Sequence, residues 1–206
     1  YKLNRLVGLI YMVDDKMSRK EQILEAAFEI FVKKGYSKTT MDDIVASSGL
    51  SKGALYHYYN SKKDLFLSLI DHWEIYTFED FYNKKSKDKK ASDILRFFSE
   101  NVLNTLNKKK HAYIAQIEFW SLCNHDKDVK KRSQLLYDKL LNLFEKVVKK
   151  GIKDNEFKKV NVRKTAMIIL AIFQGVNWFV IFDENSVPPS EYIKDSIELL
   201  INSISK

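Results

Sequence analysis

Apolar side chains recur at spacings of three and four from Arg19 onward, with Ile23, Ala26, Ala27, Ile30 and Phe31 on one face of a helical period. Ser18 followed by Glu21 fits a capping box, Lys33 and Lys34 suit a C-terminal dipole, and Gly35 stands where a left-handed residue ends a helix. The pattern predicts a helix over about 18–34. Thr40 is placed to cap a short helix over 41–47 whose first turn carries Asp42 and Asp43. Gly49 breaks it, Ser51 caps a second short helix from Lys52 to about Tyr58, and Asn60 or Ser61 opens a longer one reaching roughly Tyr82. Amphipathic segments follow over about 92–106, 111–123, 127–151, 161–182 and 190–204, separated by polar, Lys-rich linkers such as KKSKDKK, NKKK and KDNEFKK or by Pro188 and Pro189. No alternating strand pattern and no repeat of 20 to 50 residues appears. The reading is an all-α protein of about nine helices.

Composition agrees. The 206 residues are 45% apolar with only six Gly and two Pro, which excludes a disordered or fibrous chain and leaves few turn residues for an all-β fold. The single cysteine, Cys123, cannot close an internal disulfide, and no CxxC pattern offers a zinc site, so a reducing, cytoplasmic compartment is expected. The longest apolar run, Ala166 to Phe173, is far short of the roughly 18 to 20 residues of a membrane span. Residues 1–17 read as a flexible extension, 18–63 as one domain and 64–206 as a second. Residues 1–63 carry 11 Lys and Arg against 7 Asp and Glu, whereas 64–206 carry 24 against 20, so each part nets +4 and the N-terminal third is the denser positive surface. That density suits a polyanionic partner, although solubility alone would also explain it.

The stretch from Thr39 to Phe66, TTMDDIVASSGLSKGALYHYYNSKKDLF, sharpens the picture. Two short helices across a Gly-containing turn, with Ile44, Leu50 and Leu55 placed to pack between them, describe a helix-turn-helix. In that arrangement the second helix lies in the DNA major groove and presents its N-terminal side chains to base edges. Lys52 stands at its leading end, in reach of a guanine edge or a phosphate, and Gly53 lets the backbone approach the duplex. Ala54 is small enough to touch a thymine methyl, Tyr56 and His57 carry polar tips for phosphates, and Lys62 lies beside the next helix N-terminus, where an anion is also favoured.

These residues resemble the TetR family of bacterial transcription regulators. The resemblance is carried by Gly35-Tyr36, Thr39-Thr40, Ile44, Gly49-Leu50-Ser51, Gly53, Leu55-Tyr56, Tyr59 and Lys62 to Leu65, and in detail it covers about residues 18–66. Val45 departs from the small Ala usual in the first helix of the motif, and Tyr59 from the usual Phe, adding a hydroxyl that needs a partner. The resemblance implies a homodimer reading a palindromic double-stranded operator, with the DNA-facing roles falling by position on Thr40, Ser51, Lys52, Gly53, Ala54, Tyr56, His57 and Lys62. It further implies that the last two helices of each subunit form a four-helix bundle and that the C-terminal domain binds a small inducer. Repression is the expected sign of regulation.

On the 161–182 helix, Ile168, Ala171, Ile172, Gly175 and Phe179 form one stripe, expected nearer the dimer seam; Gln174, Asn177, Trp178 and Ile181 form another, expected nearer a pocket. Candidate effector contacts are Trp73, Tyr76, Gln116, Phe119, Trp120, Cys123, Tyr137, Asn177 and Trp178. Taken singly, each such residue is more often plain core, but together they suit a hydrophobic or aromatic ligand, and stacked rings also attract cations, for which Glu118 could supply a counter-charge if it is not simply solvated. No cofactor is expected. An enzyme is the weaker alternative: His57, His72, His111 and His125 are scattered, no HExxH, phosphate loop or nucleophile elbow occurs, and Cys123, His125 and Asp126 make a poor metal set. A nonspecific architectural or membrane-surface role would have to use the Lys clusters, which fall in linkers and helix ends away from the motif.

Overall fold

The computed structural model describes residues 18–71, 89–108, 117, 120–182 and 188–206, with the backbone alone at 105–108, 180 and 181. The 1–17 extension, Trp73, Tyr76, Gln116, Glu118, Phe119 and the 84–88 part of the first Lys-rich linker lie outside the described residues. The protein is all-α: α1 (Arg19–Lys34), α2 (Met41–Ser48), α3 (Lys52–Tyr58), α4 (described over 62–71), α5 (Ala91–Lys108), α6 (Lys127–Lys153), α7 (Val162–Phe182) and α8 (Pro189–Ile204). The chain divides into two compact units between Leu69 and Ile70. The expected boundary stands at 63/64; beyond it the opening turns of α4 bury Leu65, Phe66 and Leu69.

In the first unit the Ser18 capping box is formed: the Ser18 hydroxyl accepts from the Glu21 amide at 3.3 Å and the Glu21 carboxylate from the Ser18 amide at 2.9 Å. Gly35 ends α1 at φ 76° while its amide donates to the Phe31 carbonyl. Ile23, Leu24, Ala27 and Phe31 bury one face of α1 with Ile44, Leu55 and Tyr59. Phe31, Tyr36 and Phe66 then close an aromatic cluster, with Tyr36 at 4.4 Å and Phe31 at 5.5 Å from the Phe66 ring.

The second unit is held by α5 to α8. Phe98 meets Phe144 and Phe173 edge-on, Phe144 and Phe173 stack, and Leu95, Leu141, Ile169, Ile193 and Ile197 complete the core. Arg96 on α5 donates to both carboxylate oxygens of Glu198 on α8, at 2.6 and 2.9 Å.

The 153–159 segment, read from composition as a polar linker, is the knot of this unit. Asn155 takes φ 63°, the amides of Glu156 and Phe157 return to the Gly151 carbonyl, and the Phe157 ring is wholly buried against Gly151, where any Cβ would overlap it. Phe157 and Ser205 form an isolated antiparallel bridge, and the Lys158 amide donates to the Ile204 carbonyl at 2.7 Å. The Glu156 carboxylate caps α5, accepting from the amides of Ala91 at 2.7 Å and Ser92 at 3.0 Å. Burial opposes its ionisation, but the Ser92 hydroxyl, those two amides and the charge on Lys90 outweigh it, leaving the pKa below the ordinary glutamate value. A group depressed in this way stabilises the fold above its unfolded pKa and loses that contribution as the pH falls through the folded value. Glu156→Gln is therefore expected to cost about 1–2 kcal/mol in urea unfolding at neutral pH, with the difference from wild type vanishing once the medium is acid enough to protonate Glu156. An equal difference at both pH values would show that the negative charge plays no part in the cap.

Candidate nucleic-acid interface

Each helix of the α2–turn–α3 unit is started by a side chain and the first is stopped by a glycine. The Thr40 hydroxyl accepts from the Asp43 amide at 3.1 Å and the Asp43 carboxylate from the Thr40 amide at 2.9 Å. Lys34 of α1 is ion-paired with the same Asp43, whose pKa is lowered to about 2, first by that Lys34 hydrogen bond and then by the Thr40 amide and hydroxyl. The helix runs one residue past the expected Ser47, to Ser48, before Gly49 turns the chain at φ 67° and ψ 9°. No atom lies within 4 Å of a Cβ built on Gly49, so the glycine serves backbone conformation rather than space. The Ser48 hydroxyl accepts from the Leu50 amide and the Ser51 hydroxyl from the Ala54 amide at 3.2 Å, which starts α3. Gln22 of α1 donates to the Ser48 carbonyl at 2.8 Å and fastens the end of α2.

With Leu55 and Tyr59 buried, the opposite face of α3 is open: Lys52, Gly53, Tyr56, His57 and Tyr58 are exposed and Ala54 is half-buried. Among the described residues, a Cβ on Gly53 would meet no side chain within 4 Å, which leaves that position open. The Lys52 ammonium pairs with the Asp42 carboxylate of α2 at 2.8 Å and lies 6.0 Å from the Tyr56 ring; the Asp42 hydrogen bond raises its pKa. The His57 and Tyr58 rings meet edge-on at 5.1 Å. Thr40 and Ser51 are exposed, though their oxygens already serve as caps. The eight residues expected to face DNA thus share one small unit, but Lys62 differs from the rest. Its ammonium donates to the carbonyls of Tyr36 at 2.7 Å, Thr39 at 2.8 Å and Ser37 at 3.3 Å, and burial lowers its pKa.

The Tyr59 hydroxyl is buried without a hydrogen bond of good geometry; burial raises its pKa and the Ser68 side chain offsets part of that rise. Gln22, which sequence reasoning passed over, and Asp42, which it read only as a first-turn acid, help to place the motif. The signal was weak because both act across a turn or between helices, beyond the range of any local pattern.

Of the expected effector residues, Trp120, Cys123, Tyr137, Asn177 and Trp178 are among those described. Cys123 donates its thiol to the Ser133 hydroxyl of α6 at 3.3 Å, Trp120 and Tyr137 are exposed, and Asn177 is 3% exposed. The Asn177 amide nitrogen donates to the carbonyl and side-chain oxygens of Gln174, while its own side-chain oxygen is buried with no donor among the described residues. Trp178 parts from Asn177, against the expected grouping. It is 67% exposed and stacks on Phe182, itself 72% exposed, because successive residues on a helix point about 100° apart. Met167, Ile168, Ala171, Trp178 and Phe182 form an exposed apolar stripe on α7, and Leu199 of α8 is likewise exposed. Ile172, Gly175 and Phe179 are half-buried instead: Tyr192 of α8 sits over Gly175 and lies 4.5 Å from the Phe179 ring. Among the described residues no helix is long and apolar enough to cross a membrane.

A sequence model of bacterial regulatory proteins of the tetR family matches residues 23–69, and a model of the C-terminal region of QacR-like proteins matches residues 74–206. The HTH-type transcriptional regulator QacR of Staphylococcus aureus is 25% identical over 193 residues, spanning 92% of this chain and 100% of QacR. Two solved structures share the fold. A Saccharomonospora viridis protein in complex with choline superposes with a TM-score of 0.79 at 17% identity, covering 91% of this chain and 97% of its own. The regulator FadR of Bacillus subtilis in complex with stearoyl-CoA gives 0.77 at 19% identity, covering 89% and 98%.

Proposed function

We propose that this chain, which belongs to the TetR family of bacterial regulatory proteins, is a repressor that binds an inverted-repeat operator as a homodimer and leaves it when a small hydrophobic or aromatic effector occupies the C-terminal unit. The observation that carries the DNA half of this reading is the open face of α3: a lysine, a position with no Cβ and two polar-tipped aromatics follow one another on a helix whose other face is buried. A cation at the leading end of such a helix can read a guanine edge, while Tyr56 and His57 hold the backbone. The Asp42 carboxylate keeps Lys52 extended along the turn, and contact with DNA would exchange that partner for a base or a phosphate.

The apolar stripe on α7 and α8 supports the homodimer, because large side chains exposed to this extent in one subunit are covered economically by a second copy. The buried, donorless oxygen of Asn177 supports the effector site: a ligand with an N–H or O–H group would satisfy it. Relatives of this fold carry choline and stearoyl-CoA, which differ in size and charge, so the fold alone names no compound. The expected compartment is the cytoplasm, where the operator is.

Selection of bound sequences from random duplexes is the test of the whole reading. It should return an inverted repeat, and a screen for compounds that release that duplex should follow. Equal affinity for random and selected duplexes at every salt concentration would leave a nonspecific DNA-binding protein in its place. Within the selected site, Lys52→Ala is expected to relax base preference at one position of each half-site, by about 1–3 kcal/mol of discrimination. An unaltered selection profile would reduce Lys52 to a backbone contact.

A further inference from the structure

We propose that Lys62 is a positioning residue for operator binding: its ammonium gathers the carbonyls of Tyr36, Ser37 and Thr39 and so sets where α2 begins, instead of clasping a DNA phosphate itself. This rests on reading residues 40–58 as the operator-binding element.

An ammonium has three N–H groups and no acceptor. Three carbonyl oxygens at 2.7, 2.8 and 3.3 Å take all of them, and the Tyr36 ring lies 4.5 Å from the nitrogen on a further side. That ring is itself held by Phe66 and Phe31, so the cradle is anchored in the aromatic cluster of the unit. The carbonyls belong to the turn between α1 and α2. Thr39, the last of the three, is 2% exposed, donates its hydroxyl to the Gly35 carbonyl at 2.8 Å and directly precedes Thr40, the cap of α2. Lys62 stands at the start of α4, 23 residues beyond Thr39. One side chain thus ties the turn that launches α2 to the helix that follows α3, and brackets the motif from both ends. Without the cation, the Ser37 and Thr39 carbonyls lose its hydrogen bonds and the Tyr36 carbonyl keeps the Thr39 amide at 3.3 Å, so the turn before α2 is held less tightly.

Operator binding measured by fluorescence anisotropy across a series of KCl concentrations tests this, using the duplex selected by the wild-type protein. Lys62→Met keeps the stem and removes the charge. It is expected to lose at least about tenfold in affinity at every salt concentration, with the slope of log affinity against log salt unchanged. Amide hydrogen exchange over 39–44 in the free protein should quicken. Lys62→Arg should remain impaired, since a guanidinium binds phosphate well but its planar fork cannot direct three N–H groups onto this cradle. Three results would overturn the proposal: a slope shallower by about 0.9 per subunit in Lys62→Met, wild-type affinity restored by arginine, or wild-type affinity in Lys62→Met. Should the methionine variant fail to fold, the arginine variant and its exchange pattern decide the matter. Should wild-type protein select no inverted repeat, the operator reading fails by itself, and exchange over 39–44 still reports whether Lys62 holds the turn.

Discussion

Phe157→Ala is expected to destabilise the C-terminal unit by about 3–5 kcal/mol, the usual cost of emptying a wholly buried aromatic site. The ring is 0% exposed and packs against Gly151, the one position in the last turns of α6 with no side chain to obstruct it. Its backbone is pinned on both sides, by the Gly151 carbonyl and by the bridge to Ser205. A pocket held by backbone hydrogen bonds to two helices cannot collapse readily, which places the cost toward the upper end of the range. The loss is large against a total stability of about 5–15 kcal/mol for a typical domain. All three tryptophans, Trp73, Trp120 and Trp178, follow Ile70, so urea unfolding followed by tryptophan fluorescence reports this unit apart from the first. A shift below about 1 kcal/mol would mean that the site closes over the missing ring.

On the homodimer proposed above, Trp178→Glu is expected to leave the protein monomeric at concentrations where the wild type dimerises, and to strip most of its affinity for the inverted repeat. Truncating a central interface tryptophan commonly costs 2 kcal/mol or more, about thirtyfold in dimer dissociation, and a carboxylate in a desolvated seam adds to that. Trp178 and Phe182 stack and are the most exposed large apolar residues of α7 among those described, with Met167, Ile168 and Ala171 continuing the stripe. Two half-sites held by one particle bind jointly, so losing the second copy removes that advantage without touching α3. Sedimentation velocity checks the first part and anisotropy on whole and half operators the second, with Trp178→Phe expected to remain dimeric. An unchanged dimer that no longer responds to an effector would return Trp178 to the ligand site.

The helices and the motif were legible because their signals are local. Ser18 with Glu21, Thr40 with Asp43, and Ser51 with Ala54 are partners three residues apart, and the φ of 67° at Gly49 is a property of one residue. Buried Ile23, Ala27, Phe31, Ile44 and Leu55 follow from period and hydrophobicity alone. The 153–159 segment is the linker its composition describes, with five of its seven residues charged, but composition cannot show that the carboxylate of Glu156 caps a helix 65 residues away or that Phe157 fills a core. The same limit applies to Asn177 and Trp178, adjacent in the chain yet one buried and one exposed, since the rotation of α7 about its axis is decided by what α5, α6 and α8 place beside it.

By itself the sequence determined an all-α chain, the boundaries of its short capped helices and the line of residues that faces outward on α3, because periodicity and capping act within one or two turns of backbone. The tertiary structure alone decided which cation stays at the surface and which is drawn inward. Lys52 is exposed in an ion pair with Asp42, whereas Lys62 is drawn inward by three carbonyls. Both are lysines at or beside a helix start, and only the meeting of α1, α2 and α4 in space gives one of them a cradle.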